Sequence, residues 1–391
     1  MTKDRLKDRV RRRIEQARPQ LIELSHRIHA NPELAFKEVK AAEAVAQVLS
    51  RSGLQVSTGT AGMPTALQAR AGSGPLHIAI CAEYDALPGI GHACGHNLIA
   101  ASAVGAGMGL AEVADEAGLR ISVLGTPAEE GGGGKVVMLD KGVFDDVHAA
   151  MMVHPTPFDM WDPIMIAVAT LHIRYTGKSS HASAFPELGV NAADALVVAQ
   201  TAIGLLRQQL RTTDRVHGIV TKGGDAPNII PEHTEATFYV RALTLDDLED
   251  VRQKVVHCFE AGALATGAKL DLTQEAAYAE VRHDLEIAAI YRRNAEALGR
   301  EFPELPEAVR RGAGSTDMGN VSRAVPSIHP FIGLGGFPIV NHQPEFTALC
   351  ATPTADQAVM DGAIAMAWTA IDVAQDDKLR GRLMAGVRPP A

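Results

Sequence analysis

The chain has 391 residues, of which 21% are charged and 46% apolar, and a net charge of −9. That composition argues against a disordered chain and against a nucleic-acid partner, whose phosphates call for clustered Lys and Arg. The length suits two domains at about 100–200 residues each.

One basic stretch, 9–13, lies in a helical pattern with Asp8 and Glu15 beside it and reads as a solvated face. Residues 1–13 are charged and lack the apolar core of a secretion signal. Charges or glycines break every apolar run before it could span a bilayer. A cytoplasmic protein with no membrane partner is therefore expected. Cys81, Cys94, Cys258 and Cys350 form no CxxC pair and read as reduced thiols.

In chain order, Leu6, Val10, Ile14, Leu21, Leu24 and Ile28 recur at helical spacing until Pro32. A helix over 38–52 follows, with Gly53 as its C′ residue. Apolar segments 66–69, 76–81, 121–124 and 149–153 read as strands, and helices at 97–117 and 134–141 separate the later ones. This alternation predicts an α/β catalytic domain with a mostly parallel sheet. From 167 the order becomes strand 170–175, helix 191–210, strands 216–222 and 234–242, helix 245–265 and strand 269–272. That is the β-α-β-β-α-β order of a ferredoxin-like unit. The α/β pattern resumes with helix 285–298, strand 327–332 and helix 354–373. The predicted domains are thus 1–166 and 279–391 for a discontinuous catalytic domain and 167–278 for an inserted one. The tail 388–391 is expected to fray.

Four segments carry the chemistry. Gly91-His92-Ala93-Cys94-Gly95-His96-Asn97 follows a buried strand and opens a helix, a position where parallel sheets bind ligands. Cys94 and His96 suit a zinc-like divalent ion, although a tight turn with a core Cys and a capping His is an equal reading. Glu129 and Glu130 follow another strand and precede four glycines. Carboxylates serve hydrolytic metal sites as ligand and as water-activating base; an exposed acidic loop is the plainer reading. His154 and His342 complete a set that mostly sits just past strand ends. Asp85 follows a strand as well, as a turn residue or as a partner orienting His96. The inserted domain adds His181 in a Gly/Ser loop, Asn228 between two prolines, and Arg241, whose fork suits a carboxylate.

The segments AEYDALPGIGHACGHN, PAEEGGGGK, GKSSHASAFP, APNIIPE and GSTDMGNVS closely resemble the di-metal amidohydrolase and peptidase family. That family includes aminoacylases, carboxypeptidase G-type enzymes and auxin-conjugate amidohydrolases. The branch resembled is the one with p-aminobenzoyl-glutamate hydrolase and a cytosolic β-alanyl dipeptidase. The resemblance runs in order from about residue 28 to 342. It implies two divalent ions, zinc or manganese, with Cys94 bridging them. His96 and His154 complete one ion's shell, Glu130 and His342 the other's. Glu129 takes a proton from metal-bound water and passes it to the leaving amine. His181 reaches across a homodimer to steady the oxyanion, and Asn228 and Arg241 grip substrate polar groups. The inserted domain is then a lid that dimerises.

Two departures stand out. Much of the superfamily has His-x-Asp where this chain has Glu83-Tyr84-Asp85, so that a ligand is lost there and His96 replaces it. Asn97 stands where many relatives have Asp.

The expected function is metal-dependent hydrolysis of an amide bond in an N-acyl amino acid or dipeptide-like molecule. The alternatives are a cysteine-nucleophile amidase using Cys94, with His96 or His92 as base, and a non-catalytic metal-binding partner subunit.

Overall fold

The computed structural model describes residues 2–306 and 314–386. The expectation for 388–391 lies outside them. The chain divides into two compact units, Met1–Ile164 with Val281–Ala391, and Met165–Glu280.

The first unit begins with helices α1 (Lys3–Gln16), α2 (Arg18–His29) and α3 (Val39–Arg51). Strands β1 (Gln55–Thr58), β2 (Leu67–Ala71) and β3 (Leu76–Glu83) follow, then α4 (His96–Ala111), α5 (Ala114–Ala117), β4 (Leu119–Thr126), α6 (Gly134–Asp140), β5 (Ala149–Met151) and β6 (His154–Thr156). The second unit contains β7 (Ala167–Thr176), α7 (Ala192–Leu206), β8 (Arg215–Lys222), β9 (His233–Ala242), α8 (Leu245–Thr266) and β10 (Lys269–Gln274). The first unit then resumes with α9 (Leu285–Glu296), α10 (Met318–Ala324), β11 (Ser327–Ile328), β12 (Phe331–Gly333), α11 (Pro344–Leu349), α12 (Pro353–Gln375) and α13 (Asp377–Gly386).

The main sheet has the order β1-β2-β4-β3-β5-β11. Its inner pairings β4·β3, β3·β5 and β5·β11 are parallel; the pairings β1·β2 and β2·β4 are antiparallel. Every residue of β3 is buried, which is why it reads as a continuous apolar run: both faces of a parallel sheet are covered. Helix α4 is almost entirely Ala, Gly and apolar residues and is buried on all sides. It packs on β3 and β4 and under α2 and α12. Among the described residues no helix is long and apolar enough to cross a membrane.

The second unit folds β7-α7-β8-β9-α8-β10 into an antiparallel sheet of order β10-β7-β9-β8, the ferredoxin-like arrangement. Strands β7 and β9 alternate between buried and more exposed residues, as expected when helices cover one face. Asn191 and Thr244 begin the two helices by accepting from Ala193 N and Asp247 N.

The structure refines four readings. The helical run from 6 to 28 is two helices, because Pro19 starts a new one after Ala17. The helix read at 97–117 ends at Ala111 and restarts at Ala114. The segment 149–153 stops at Met151, and His154 opens a separate pairing with β12. The strand read at 327–332 breaks at His329-Pro330, where Pro lacks a ladder donor.

Gly107 of α4 faces Val123 of β4, and a Cβ there would overlap the Val123 side chain. Gly107→Val is expected to lower the unfolding free energy by about 1–3 kcal/mol, measured by urea denaturation.

Candidate metal centre

Strands β4, β3, β5 and β11 run parallel, so their carboxyl ends lie along one edge of the sheet, where such sheets bind ligands. The segment after β3 carries Cys94 and leads into α4 at His96. Gly95 between them has φ 75°, and a Cβ there would overlap the Pro155 ring; this is a position only glycine fills without strain. The loop after β4 carries Glu129 and Glu130, with Ala128 at φ 60°. His154 opens β6. His342 lies beyond β12 at φ 68° and donates its backbone N–H to Ala93 O at 2.9 Å, which stitches its loop to that of Cys94.

These side chains converge. Cys94, His96 and His154 each offer a donor atom within 4.8 Å of the others, and so do Cys94, Glu130 and His342. Cys94 Sγ lies 3.3 Å from His154 Nε2, and His342 Nε2 lies 3.4 Å from Glu130 Oε1. His96 Nε2 is 3.8 Å from both Glu129 Oε2 and Glu130 Oε1. His96 Nε2 and Glu130 Oε1 are buried without a hydrogen-bond partner. A buried polar atom left in that state is unfavourable unless something else occupies it. Sulfur, imidazole and carboxylate in two clusters sharing one thiol form a donor set that fits two divalent ions.

Asp85 braces this arrangement from two directions. Its Oδ1 meets His96 Nδ1 at 3.1 Å, and its Oδ2 accepts Glu130 N–H at 2.9 Å. His154 Nδ1 is within 3.0 Å of Pro155 O, which leaves Nε2 for the centre. The protonation equilibria reflect crowded negative charge. Burial, then the charges of Glu83 and Glu130, hold the Glu129 carboxyl well above the usual range. Burial and Glu130 push the Cys94 thiol far up. Burial alone would lower His96, but the charge and hydrogen bond of Asp85 carry it well above the ordinary imidazole value. Burial and His329 push His154 well down, toward the neutral form that ligates metals.

Residues 167–266 match the M20 peptidase dimerisation domain. The chain is 38% identical to mouse Xaa-Arg dipeptidase, covering 98% of this chain and 91% of that protein. The chain belongs to the M20 family. A subunit of p-aminobenzoyl-glutamate hydrolase from Escherichia coli is 32% identical over 65% of this chain and 57% of its own. Among solved structures, a dinuclear metal binding M20 peptidase from Bacillus subtilis shares the fold at TM-score 0.70 and 22% identity, covering 92% of this chain and 99% of that one. A putative aminohydrolase from methicillin-resistant Staphylococcus aureus does so at TM-score 0.75 and 20% identity, covering 94% and 100%. As an M20 enzyme, the protein is a metal-dependent hydrolase of amide bonds.

Part of this candidate centre was not legible in the sequence. Glu83, read there only as a lost ligand, sends Oε2 to within 3.5 Å of His96 Nε2 and forms a third donor cluster with His96 and Glu129. Its other oxygen accepts from Lys135, whose ammonium also donates to Asp317 Oδ1 at 2.6 Å. All three side chains are fully buried. The available signals were an acid ending a strand that is apolar but for His77 and a lysine directly after four glycines. Asn97 turns its amide to Ser25 Oγ and Cys350 O, both at 2.9 Å. An Asp there would set a carboxylate against the Cys350 carbonyl, so the departure has a packing cause. In the second unit, His181 forms a bridge with Ile229, and Asn228 O accepts from Ala182 N. The Arg241 guanidinium lies 5.6 Å over the Tyr239 ring.

Lys135→Met would leave Glu83 and Asp317 buried without their cation. The expected loss is about 3–5 kcal/mol of stability, read as a lowered denaturation midpoint of the metal-free protein.

Proposed function

We propose that the protein is a two-metal dipeptidase, with zinc or manganese held by Cys94, His96, Glu130, His154 and His342. The observation that carries this reading is the pair of donor clusters sharing Cys94, with Glu129 next in sequence to Glu130. When bound, the ions polarise the scissile carbonyl and acidify the attacking water. Glu129 accepts the proton of that water and returns it to the leaving amine. Its carboxylate stands 3.8 Å from His96 Nε2, beside the clusters that would hold the ions. Asp85 keeps His96 and the Glu130 backbone in register. Arg241 receives the free carboxylate of the substrate, Asn228 a further polar group, and His181 of a second copy the developing oxyanion.

The full-length similarity to the mouse and human Xaa-Arg dipeptidases supports a dipeptide with a basic C-terminal residue. The partial match to p-aminobenzoyl-glutamate hydrolase supports an acidic one less. The working form is a cytosolic homodimer through the second unit. Strand β8 is an edge strand with Ile219 and Val220 exposed. A cysteine-nucleophile mechanism is disfavoured, since it leaves Glu129 and Glu130 without a role while Cys94 belongs to both donor clusters.

Glu129→Gln should retain metal and lose turnover by about 10²–10⁴-fold, measured by metal analysis and steady-state kinetics; an active variant would overturn the assignment. Chelation should abolish activity, and added zinc or manganese should restore it. Chelator-resistant activity that iodoacetamide destroys would instead indicate Cys94 as nucleophile. A mass-spectrometric panel of Xaa-Arg, Xaa-Lys, Xaa-Glu and p-aminobenzoyl-glutamate should show preference for the basic dipeptides.

A further inference from the structure

Residues 33–38 make a clamp on the loop that carries Glu129. The Glu38 side chain is fully buried. A single oxygen of it, Oε1, accepts from both Phe36 N and Ala128 N, each at 2.9 Å. Phe36 and Ala128 have φ 61° and 60°, a left-handed conformation that non-glycine residues rarely adopt. Such backbone persists only where its surroundings over-determine it, and it concentrates at functional sites. The clamp is itself anchored. The Glu33 carboxylate accepts from Lys40 N and Ala41 N at the start of α3, and Glu33 O accepts from Ala86 N at 2.8 Å. The Phe36 ring lies against Gly132, where a Cβ would overlap it.

Ala128 immediately precedes Glu129. Beyond Glu129, the Glu130 N–H is held by Asp85 Oδ2. The peptide carrying Glu129 is therefore pinned on both sides by buried carboxylates from separate segments. The Asp85 side also serves His96, whereas the Glu38 carboxylate accepts from the backbone of Phe36 and Ala128.

We propose that Glu38 is a positioning residue, which holds Ala128 in its left-handed conformation and so sets where the Glu129 carboxylate stands. This rests on the reading of Glu129 as general base. Misplacement of a reacting group by about 1 Å can lower the rate by about 100-fold, so the role is visible in kcat.

The test compares Glu38→Ala, Glu38→Gln and the double variant Glu38→Ala/Ala128→Gly in the full-length protein. Glu38→Ala should lower kcat by about 10- to 100-fold. Its KM should stay within about twofold, and its bound metal should equal that of the parent by elemental analysis. Glu38→Gln keeps an oxygen for both N–H groups and should stay within about threefold of the parent. The added glycine adopts left-handed φ without penalty, so the double variant should recover part of the lost kcat. Should Glu38→Ala not fold, Glu38→Asp keeps the charge, falls short of Ala128 and should show the same loss of kcat.

A kcat near the parent's in the variant used would overturn the proposal. So would a loss that follows metal content or unfolded fraction, or one that Glu38→Gln shares. Glu129→Gln, run alongside, separates the two readings. If it remains active, the assignment of the base has failed. If it is inactive while Glu38→Ala is normal, only the positioning role has failed.

Discussion

Crowded buried acid is the condition to which the first unit is built. Glu83, Asp85, Glu129 and Asp317 are all buried around one end of the sheet, with Glu130 at its margin. Carboxylates removed from water repel one another and lose their hydration. Lys135 offsets part of this with an ammonium between Glu83 and Asp317, and His96 offsets another part beside Asp85. What remains uncompensated faces the Cys94 clusters, where partnerless donor atoms collect. The crowding that raises Glu129 and Cys94 is of the kind that divalent cations would relieve.

The backbone serves that arrangement. Parallel strands bring the segments after β3 and β4 and the start of β6 to one edge, and glycine at 95 lets Cys94 and His96 turn toward a common point. Two carboxylates hold the loop between Ala128 and Glu130 through its N–H groups. Rigid elements fix a donor set more closely than free loops do. His342 differs from the other donors, with a side chain 56% exposed on a loop held back by Ala93.

Much of this was legible in the sequence, for identifiable reasons. Cys94 and His96 sit in one short glycine-bounded motif, and Glu129 and Glu130 in another; each alone read as well or better as a turn or an acidic loop, and the shared place past strand ends and the family resemblance singled them out. The β-α-β-β-α-β order of the second unit was readable because β7 and β9 expose one face and alternate accordingly. Lys135 and Asp317 were not legible as a pair, since whether a charged residue is buried depends on what packs over it from far along the chain. Glu38 was hidden for a related reason. An acid at the start of a helix ordinarily reads as a favourable charge for that helix, whereas this one turns inward to another loop's backbone. The division of 6–28 into two helices depended on Pro19, which a count of apolar spacings passes over.

The interruption of the first unit by the second has a consequence for biosynthesis. Strand β5 finds its neighbour β11 only after the whole of Met165–Glu280 has been made, and the Ala93–His342 link closes later still. The second unit closes its sheet within one continuous stretch. Nascent domains generally fold as units while the chain emerges. On the ribosome, the inserted unit can therefore be complete while the sheet of the first unit still presents β5 as a raw edge, the kind of surface that invites wrong pairing.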